Sequence, residues 1–388
     1  MKNNWRKVKL SEICFYAKEK IDITSLNKEN YISTENMLPN KNGITFATTL
    51  PNLNTTQSFN INDVLVSNIR PYFKKIWFAK FNGGASNDVL IFRAKNNVDS
   101  KFLYYVLSDD KFFEYCMSTS KGTKMPRGDK NSIMNYIVPK FDFETQEKIA
   151  KVLSAFDDKI ELNNKINENL EQQIKIIFIN MFGEQISNLN NKKTKMLSEV
   201  VDVIDNRGKT PPLSIDKTPY PIVDVRALSG NTRIINYNNC TKYVSEETYN
   251  NWFRNGHPKQ YDILLSTVGS LAEMKLFMNN IGCIAQNVVG YRCKISPVYL
   301  YQYLNYIKQD LLAYDIGSVQ PSIKITHIAK HPIFVPNDED LTKFHNISIA
   351  LTKKIYLNSE ENNKLIKLRD TLLPKLMNCE IDVEKIRI

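Results

Sequence analysis

The chain has 388 residues, a formal net charge of +11, 42% apolar residues and 24% charged residues. That length suits two or three domains with real cores, and no run reaches the roughly 18 apolar residues that a membrane-spanning helix needs. The opening Met-Lys-Asn-Asn-Trp lacks the apolar stretch of a secretion signal, and six scattered cysteines form no C-x-x-C pair, so a cytoplasmic protein with reduced thiols is expected.

The charge is unevenly placed. Residues 1–142 carry +8, residues 143–190 carry −3, residues 191–336 carry +6, and residues 337–388 are balanced. Two basic segments therefore alternate with two that are neutral or slightly acidic, a pattern suited to gripping a polyanion at two places.

Residues 1–142 mix short β-rich runs with turn signals. Leu10–Ile13 opens a short element, and Asn60–Ser67 reads as a strand entered by a turn. Ile76–Phe81 and Val89–Arg93 read as strands joined by a tight turn at Asn82-Gly83-Gly84. Phe102–Leu107 and Phe112–Met117 read as short helices. The loop Ser67–Lys75 gathers Asn68, Arg70, Tyr72, Lys74 and Lys75 at a strand end. Arginine suits guanine O6/N7, asparagine suits adenine, and lysine suits phosphate, so these five are candidate DNA contacts. A second Gly/Pro loop offers Lys121, Thr123, Lys124 and Arg127 to phosphates.

Residues 143–190 hold the first of two long helices. Ile149, Leu153, Phe156, Ile160, Asn163, Asn167, Leu170, Ile174, Ile177 and Met181 recur at alternating gaps of four and three, a heptad seam. Asp142 is placed to cap the start, and Gly183 stands where such a helix stops. About 40 residues at a rise of ~1.5 Å make a rod of roughly 60 Å.

Residues 191–336 repeat the plan of the first segment. Asn206-Arg207-Gly208-Lys209-Thr210 is no phosphate-binding loop, because Val203 stands where the first glycine of that motif belongs. Arg207, Lys209 and Thr210 read instead as an exposed loop. Thr267 and Ser270 follow the strand equivalent to Val64–Ser67, and Gln320, Ser322 and Lys324 lie in the counterpart of the Gly122 loop. These eight residues complete the candidate DNA contacts.

Residues 337–388 hold the second long helix. Adding 195 to the first seam gives Phe344, Ser348, Leu351, Ile355, Asn358, Asn362, Leu365, Arg369, Leu372 and Leu376. In an antiparallel pair, Asn163 would lie near Asn362 and Asn167 near Asn358, and such a polar layer fixes register. The globular segments repeat too. Leu10-Ser-Glu-Ile13 returns as Leu197-Ser-Glu-Val200, Asp63–Ser67 as Asp262–Ser266, Val89–Lys95 as Val288–Lys294, and Ile137–Pro139 as Phe334–Pro336. The expected fold is α+β: two mixed α/β bodies, duplicated with pseudo-twofold symmetry and separated by two long helices in an antiparallel coiled coil.

No catalytic constellation is present. The chain lacks the Asn/Asp-Pro-Pro-Tyr signature of amino-methyltransferases, a Gly-x-Gly-x-x-Gly turn and an H-E-x-x-H pair. Its four histidines have no metal-ligand spacing. Together with the duplication, this favours a binding module over an enzyme.

The chain resembles the specificity subunits of type I restriction–modification systems over essentially its whole length. The most specific pieces are Gln146-Glu-Lys-Ile149 with Leu153, Asp157 and Ile160, then Ile179-Asn-Met-Phe182-Gly183, and Leu368–Leu376 followed by Glu380-Ile-Asp-Val383. Ser67–Lys75 and Lys209-Thr-Pro-Pro212 are also similar to loops of such recognition domains. The second helix departs at its entry, reading Thr342-Lys-Phe-His345. The resemblance implies two target recognition domains, each reading half of a bipartite double-stranded DNA site. It also implies helices that set the spacing and dock methyltransferase subunits, two of them, with restriction subunits joining in some systems. S-adenosylmethionine, ATP and Mg²⁺ would belong to those partners, with no cofactor in this chain. Two other readings stand on sequence alone: the specificity chain of an orphan adenine methyltransferase, and a two-headed adaptor whose basic lobes bind acidic protein or RNA.

Overall fold

The computed structural model describes residues 6–188, 194–208, 210–279, 281–317 and 319–386. Two compact units emerge, Met1–Ile160 with Lys364–Ile388, and Glu161–Asn363. Each long helix contributes to both units.

In the first unit a four-stranded antiparallel sheet runs in the order Cys14–Tyr16, Val89–Ala94, Val64–Ser67, Ile76–Phe78. Its central strands are buried on both faces, and the two-residue period divides them between two cores. Val64, Val66, Leu90 and Phe92 face a helical core with Phe102, Val106 and Phe112. Leu65, Val89 and Ile91 face a second core with Phe59 and Trp77. The helices Ser100–Ser108 and Asp110–Ser118 are capped by Asp99 and Asp109. A second sheet orders Lys20–Asp22, Thr55–Phe59, Gly83–Ala85 and Tyr31–Ile32.

The expected turn at Asn82-Gly83-Gly84 is not one. Ile76–Phe78 and Val89–Ala94 do not pair with each other but flank Val64–Ser67. Gly83 and Gly84 are strand residues of the second sheet, squeezed between neighbours. A Cβ on Gly83 would stand 2.2 Å from the Asn30 carbonyl oxygen, and one on Gly84 2.3 Å from Leu26 Cδ1. These glycines serve close approach rather than chain reversal.

The second unit repeats the main sheet in the order Val201–Ile204, Val288–Cys293, Ile263–Ser266, Met274–Leu276. Its helix Pro297–Tyr306 is almost wholly buried. In both units the strand that leads into the short Leu-Ser-Glu turn pairs with the last strand before a long helix: Lys7–Lys9 with Ile137–Pro139, and Thr194–Met196 with Pro332–Phe334.

The first long helix, Phe143–Phe178, starts where the Asp142 carboxylate accepts the Thr145 N–H at 2.8 Å. It does not stop at Gly183. A π-turn, Ile179–Gly183, carries it into a last turn, Glu184–Ser187. Phe178 and Phe182 are fully buried against Tyr299 and Phe344. Burying two such rings is worth about 2–3 kcal/mol each, more than the ~1 kcal/mol that a glycine costs inside a helix.

The second long helix spans Asp338–Met377. Within the second unit the two helices run antiparallel. Asn163 Nδ2 donates to Asn362 Oδ1 at 2.9 Å, and Asn358 Nδ2 donates to Asn167 Oδ1 at 2.8 Å. All four asparagines are buried. Ile174 and Ile355 are fully buried there, with Leu170 and Leu351 packed against the same core. Within the first unit Leu153 is fully buried beside Leu373 and Leu376, Phe156 packs against that cluster, and Ile160 and Leu365 are half-buried.

The recurrence of Asp63 and Arg93 as Asp262 and Arg292 has a structural cause. Arg93 donates through Nε and Nη2 to the buried Asp63 carboxylate, both at 2.8 Å, and that carboxylate also accepts the Asn60 N–H at 2.7 Å. Arg292 and the Lys259 N–H do the same for Asp262. Each aspartate closes the turn before the central strand and anchors the neighbouring strand.

Lys275 is an unusual core residue. Its ammonium is buried and donates to the carbonyls of Gly230, at 2.5 Å, and Thr232. Burial pushes its pKa down to about 8 from the ordinary 10.5.

Asp63→Asn is expected to destabilise the protein by about 2–4 kcal/mol, because the buried fork loses its charge and an acceptor. A urea titration would show it as a lowered midpoint at unchanged slope. For Lys275 the unfolded chain binds the proton more tightly than the folded one. The residue therefore costs stability below about pH 8, and the cost fades as pH rises towards 10.5. The stability of Lys275→Met relative to wild type should accordingly fall by up to roughly 3 kcal/mol between pH 7 and pH 10.5, read by denaturation at each pH.

Candidate nucleic-acid interface

In the first unit, Val64–Ser67 ends in the loop that holds most of the candidate contacts. Arg70 and Lys74 adopt left-handed backbone, at φ 49° and 50°, on either side of a 3-10 turn, Pro71–Phe73. Non-glycine residues hold such conformations only where their surroundings impose them. Here the Arg70 N–H donates to the Pro126 carbonyl at 2.8 Å, and the Phe73 and Lys74 carbonyls accept from the Asn40 and Lys41 N–H groups.

The Arg70–Pro126 bond joins two loops far apart in sequence. Lys121 and Arg127 exchange backbone hydrogen bonds at 2.9 and 3.0 Å, forming a small hairpin whose Arg127 is bridged to Ile69. The Asn68 N–H donates to the Asp88 carbonyl at 2.8 Å, and the Arg127 guanidinium reaches the Asp88 carboxylate at 3.2 Å. Asn68, Arg70 and Arg127 thus come together.

The side chains divide into scaffold and surface. Lys75 Nζ donates to the Thr34 carbonyl at 2.6 Å and lies over the Phe73 ring, and burial lowers its pKa. Lys74 shares the Asp110 carboxylate with Lys41, at 2.7 and 2.8 Å. Tyr72, packed on Phe73 with centroids 4.7 Å apart, is half exposed, and Thr123, Lys124 and Arg127 are exposed. Lys121 is exposed and paired with Asp129 at 2.9 Å, and that contact with the Ser132 N–H bond holds the Asp129 carboxyl well below the usual range. Two buried polar atoms, Asn68 Oδ1 and Arg70 Nε, have no hydrogen-bond partner among the described residues.

The second unit builds the same skeleton. The Gly269 N–H donates to the Pro321 carbonyl at 3.1 Å, Val268 is bridged to Ser322, and the Thr267 N–H donates to the Asn287 carbonyl at 2.9 Å. Each bond has its counterpart above, at positions 70 and 126, 69 and 127, and 68 and 88. The exposed chemistry differs. Gly269 stands in place of Arg70, and Thr267 is fully buried, so its hydroxyl is not offered at the surface. Ser270 is exposed, with its carbonyl accepting from Ser266 Oγ at 2.5 Å. Gln320 and Lys324 are exposed and Ser322 is half-buried. The Asp315 carboxylate accepts the Gly317 and Ser322 N–H groups at 2.9 and 2.8 Å, which lowers its pKa and ties the loop shut.

Thr210 Oγ1 accepts from Gln286 Nε2 at 2.9 Å, beside the Asn287 that holds Thr267. The Arg207 guanidinium forks onto Asp205 at 2.7–3.0 Å. Lys209 lies outside the described residues. Sequence reading missed Pro126, Asp88, Pro321 and Asn287, the residues that clasp the loops. Their trace was present, since Asp88 and Asn287 stand immediately upstream of the repeated Val89 and Val288 blocks.

Among the described residues no group of His, Cys, Asp and Glu is placed to hold a metal ion, and no helix is long and apolar enough to cross a membrane.

Comparison with known proteins adds three findings. Residues 2–172 match the type I restriction modification DNA specificity domain. The chain is similar to the type I restriction enzyme MjaIX specificity subunit of Methanocaldococcus jannaschii, 25% identical over 75% of this chain and 71% of that one. It is also similar to the HindI specificity subunit of Haemophilus influenzae, 23% identical over 98% of this chain and 100% of that one. Among solved structures, the type I S subunit from M. genitalium shares the fold at a TM-score of 0.59, with 17% identity and 96% of each chain covered.

Proposed function

We propose that this chain, which belongs with the type I restriction–modification specificity subunits, is the DNA-reading component of such a complex. Each recognition body reads one half of a bipartite duplex target. The long helices set the distance between halves and dock methyltransferase subunits, two of them by the logic of the internal repeat. The chain supplies the address and no bond-breaking step. S-adenosylmethionine belongs to the methyltransferase subunits, which flip and modify the base. ATP and Mg²⁺ belong to a restriction subunit where one joins.

The observation that carries this reading is the loop clasp built twice with different tips. Arg70 N–H on the Pro126 carbonyl and Gly269 N–H on the Pro321 carbonyl hold equivalent loops in equivalent places. The exposed groups are Tyr72, Lys124 and Arg127 in one unit and Ser270, Gln320 and Lys324 in the other. A shared scaffold with different hydrogen-bonding tips is what two readers of different base sequences require. The basic surplus of both globular segments supplies the sequence-independent attraction to phosphate.

Replacing residues 1–190 with those of a relative should change one half of the methylated target and leave the other intact. Methylome sequencing of cells carrying the hybrid reads this directly, and a change in both halves defeats the modular assignment. At single-residue level, Arg70→Ala should weaken binding to the cognate duplex by about 1–3 kcal/mol while random duplex is little affected. Lys124→Ala should weaken both alike and reduce the salt slope by about one. Fluorescence anisotropy of the methyltransferase complex across a salt series separates these outcomes.

A further inference from the structure

Arg233 is the largest fully buried charged side chain in the second unit. Its backbone N–H donates to Glu171 Oε1 at 2.7 Å, and its Nε and Nη2 donate to Glu171 Oε2 at 2.9 and 2.7 Å. Nη1 donates to Thr352 Oγ1 at 2.9 Å, Nη2 also approaches Gln302 Oε1 at 3.4 Å, and the guanidinium lies 5.3 Å from the Tyr301 ring centre. Glu171 is on the first long helix, Thr352 on the second, and Gln302 on the helix Pro297–Tyr306 of the recognition body. One guanidinium thus ties three elements, and the Lys275 ammonium grips the carbonyls of Gly230 and Thr232 just before it.

A buried ion pair is a poor way to gain stability, since a well-packed apolar cluster of similar volume does as well or better. What the fork adds is direction: five donors in a plane accept one arrangement of their partners. The first unit meets the same need at the equivalent place. Asp157 is the counterpart of Thr352 under the 195-residue repeat. Its carboxylate accepts from the Tyr105 hydroxyl at 2.6 Å and from Arg369 Nη1 at 2.5 Å. Tyr105 comes from the recognition body and Arg369 from the second long helix. The arginine arrives from a turn in one unit and from a helix in the other. Two unrelated residue sets at one repeat position point to a constraint on position, not to a relic of the duplication.

We propose that Arg233 is a positioning residue for DNA recognition: it locks the second recognition body onto its two helices at a single angle, so that only one spacing between half-sites is accepted. This rests on the DNA-reading function proposed above. One base pair more or less moves a half-site by about 3.4 Å and turns it by roughly 34°, which a locked body does not follow and a loosened one does.

The test uses the full chain assembled with its methyltransferase subunits and duplexes carrying both half-sites, as defined by methylome sequencing, at the native spacer and at one base pair shorter and longer. Arg233→Met keeps the bulk and removes the fork. Thr352→Val removes one bond and leaves the Arg233–Glu171 pair, so it reports even where Arg233→Met does not assemble. Wild type is expected to discriminate against altered spacers by about 100-fold. Arg233→Met should lower that ratio about 10-fold or more, and Thr352→Val by a smaller factor in the same direction. An unchanged ratio in an assembled variant, whatever happens to its melting temperature or overall affinity, overturns the proposal, because a purely structural role weakens all three duplexes alike. If wild type itself shows no preference for duplexes bearing the half-sites, the DNA-reading function fails first, and this inference with it.

Discussion

Four buried asparagine amides decide how the two long helices of this chain meet. An apolar heptad seam tolerates sliding by whole repeats, because one leucine layer resembles the next. Asn163 with Asn362 and Asn167 with Asn358 remove that freedom, since each amide is buried and finds its partner in one register and one direction. A shift of one heptad would set most of these amides against apolar side chains, such as Leu170 and Ile174 or Leu351 and Ile355, at about 1–3 kcal/mol for each unsatisfied group. The layer is costly compared with leucine, and its return is a defined alignment.

On that alignment the chain builds one recognition plan twice, and what is kept differs in kind from what varies. The Asp–Arg forks at 63/93 and 262/292 are kept because each closes a turn and ties two central strands at once. The backbone clasp between loops is kept because it uses peptide groups, which survive any change of side chain except to proline at the donor. With shape held by backbone, the exposed tips are released from structural duty, and Arg70 can become Gly269 without loss of the skeleton. That separation lets one fold serve different ligand sequences.

The sequence revealed features with a period or a copy. The heptad spacing marked both helices and paired the asparagines, and the repeat marked equivalent strands and loops. Misreadings arose where one residue type serves opposed ends. Gly83 and Gly84 looked like a turn, yet they let two strands approach more closely than any side chain permits. Gly183 looked like a helix stop, yet the burial of Phe178 and Phe182 carried the helix past it. The Arg233 junction was invisible because its partners lie 62 to 119 residues away and no local pattern marks them. Thr267 illustrates a finer limit. Its place in the loop was legible, but which way its side chain faces depends on Asn287, across the sheet.

The cations of the candidate interface are, for the most part, already engaged. Lys121 pairs with Asp129, Arg127 with Asp88, Lys74 with Asp110 and Arg207 with Asp205. Such surface pairs contribute only about 0–1 kcal/mol each in water, so exchanging a carboxylate for a phosphate is cheap. The carboxylates do something else: they hold long, flexible side chains in one place before a ligand arrives, which lowers the entropy lost on binding. They also set a threshold. A lone phosphate gains little by displacing a carboxylate, whereas a duplex presents many phosphates in fixed geometry and releases condensed counterions as they are neutralised. Pre-paired cations therefore favour an extended polyanion over small anions, which is what the proposed DNA-reading function requires.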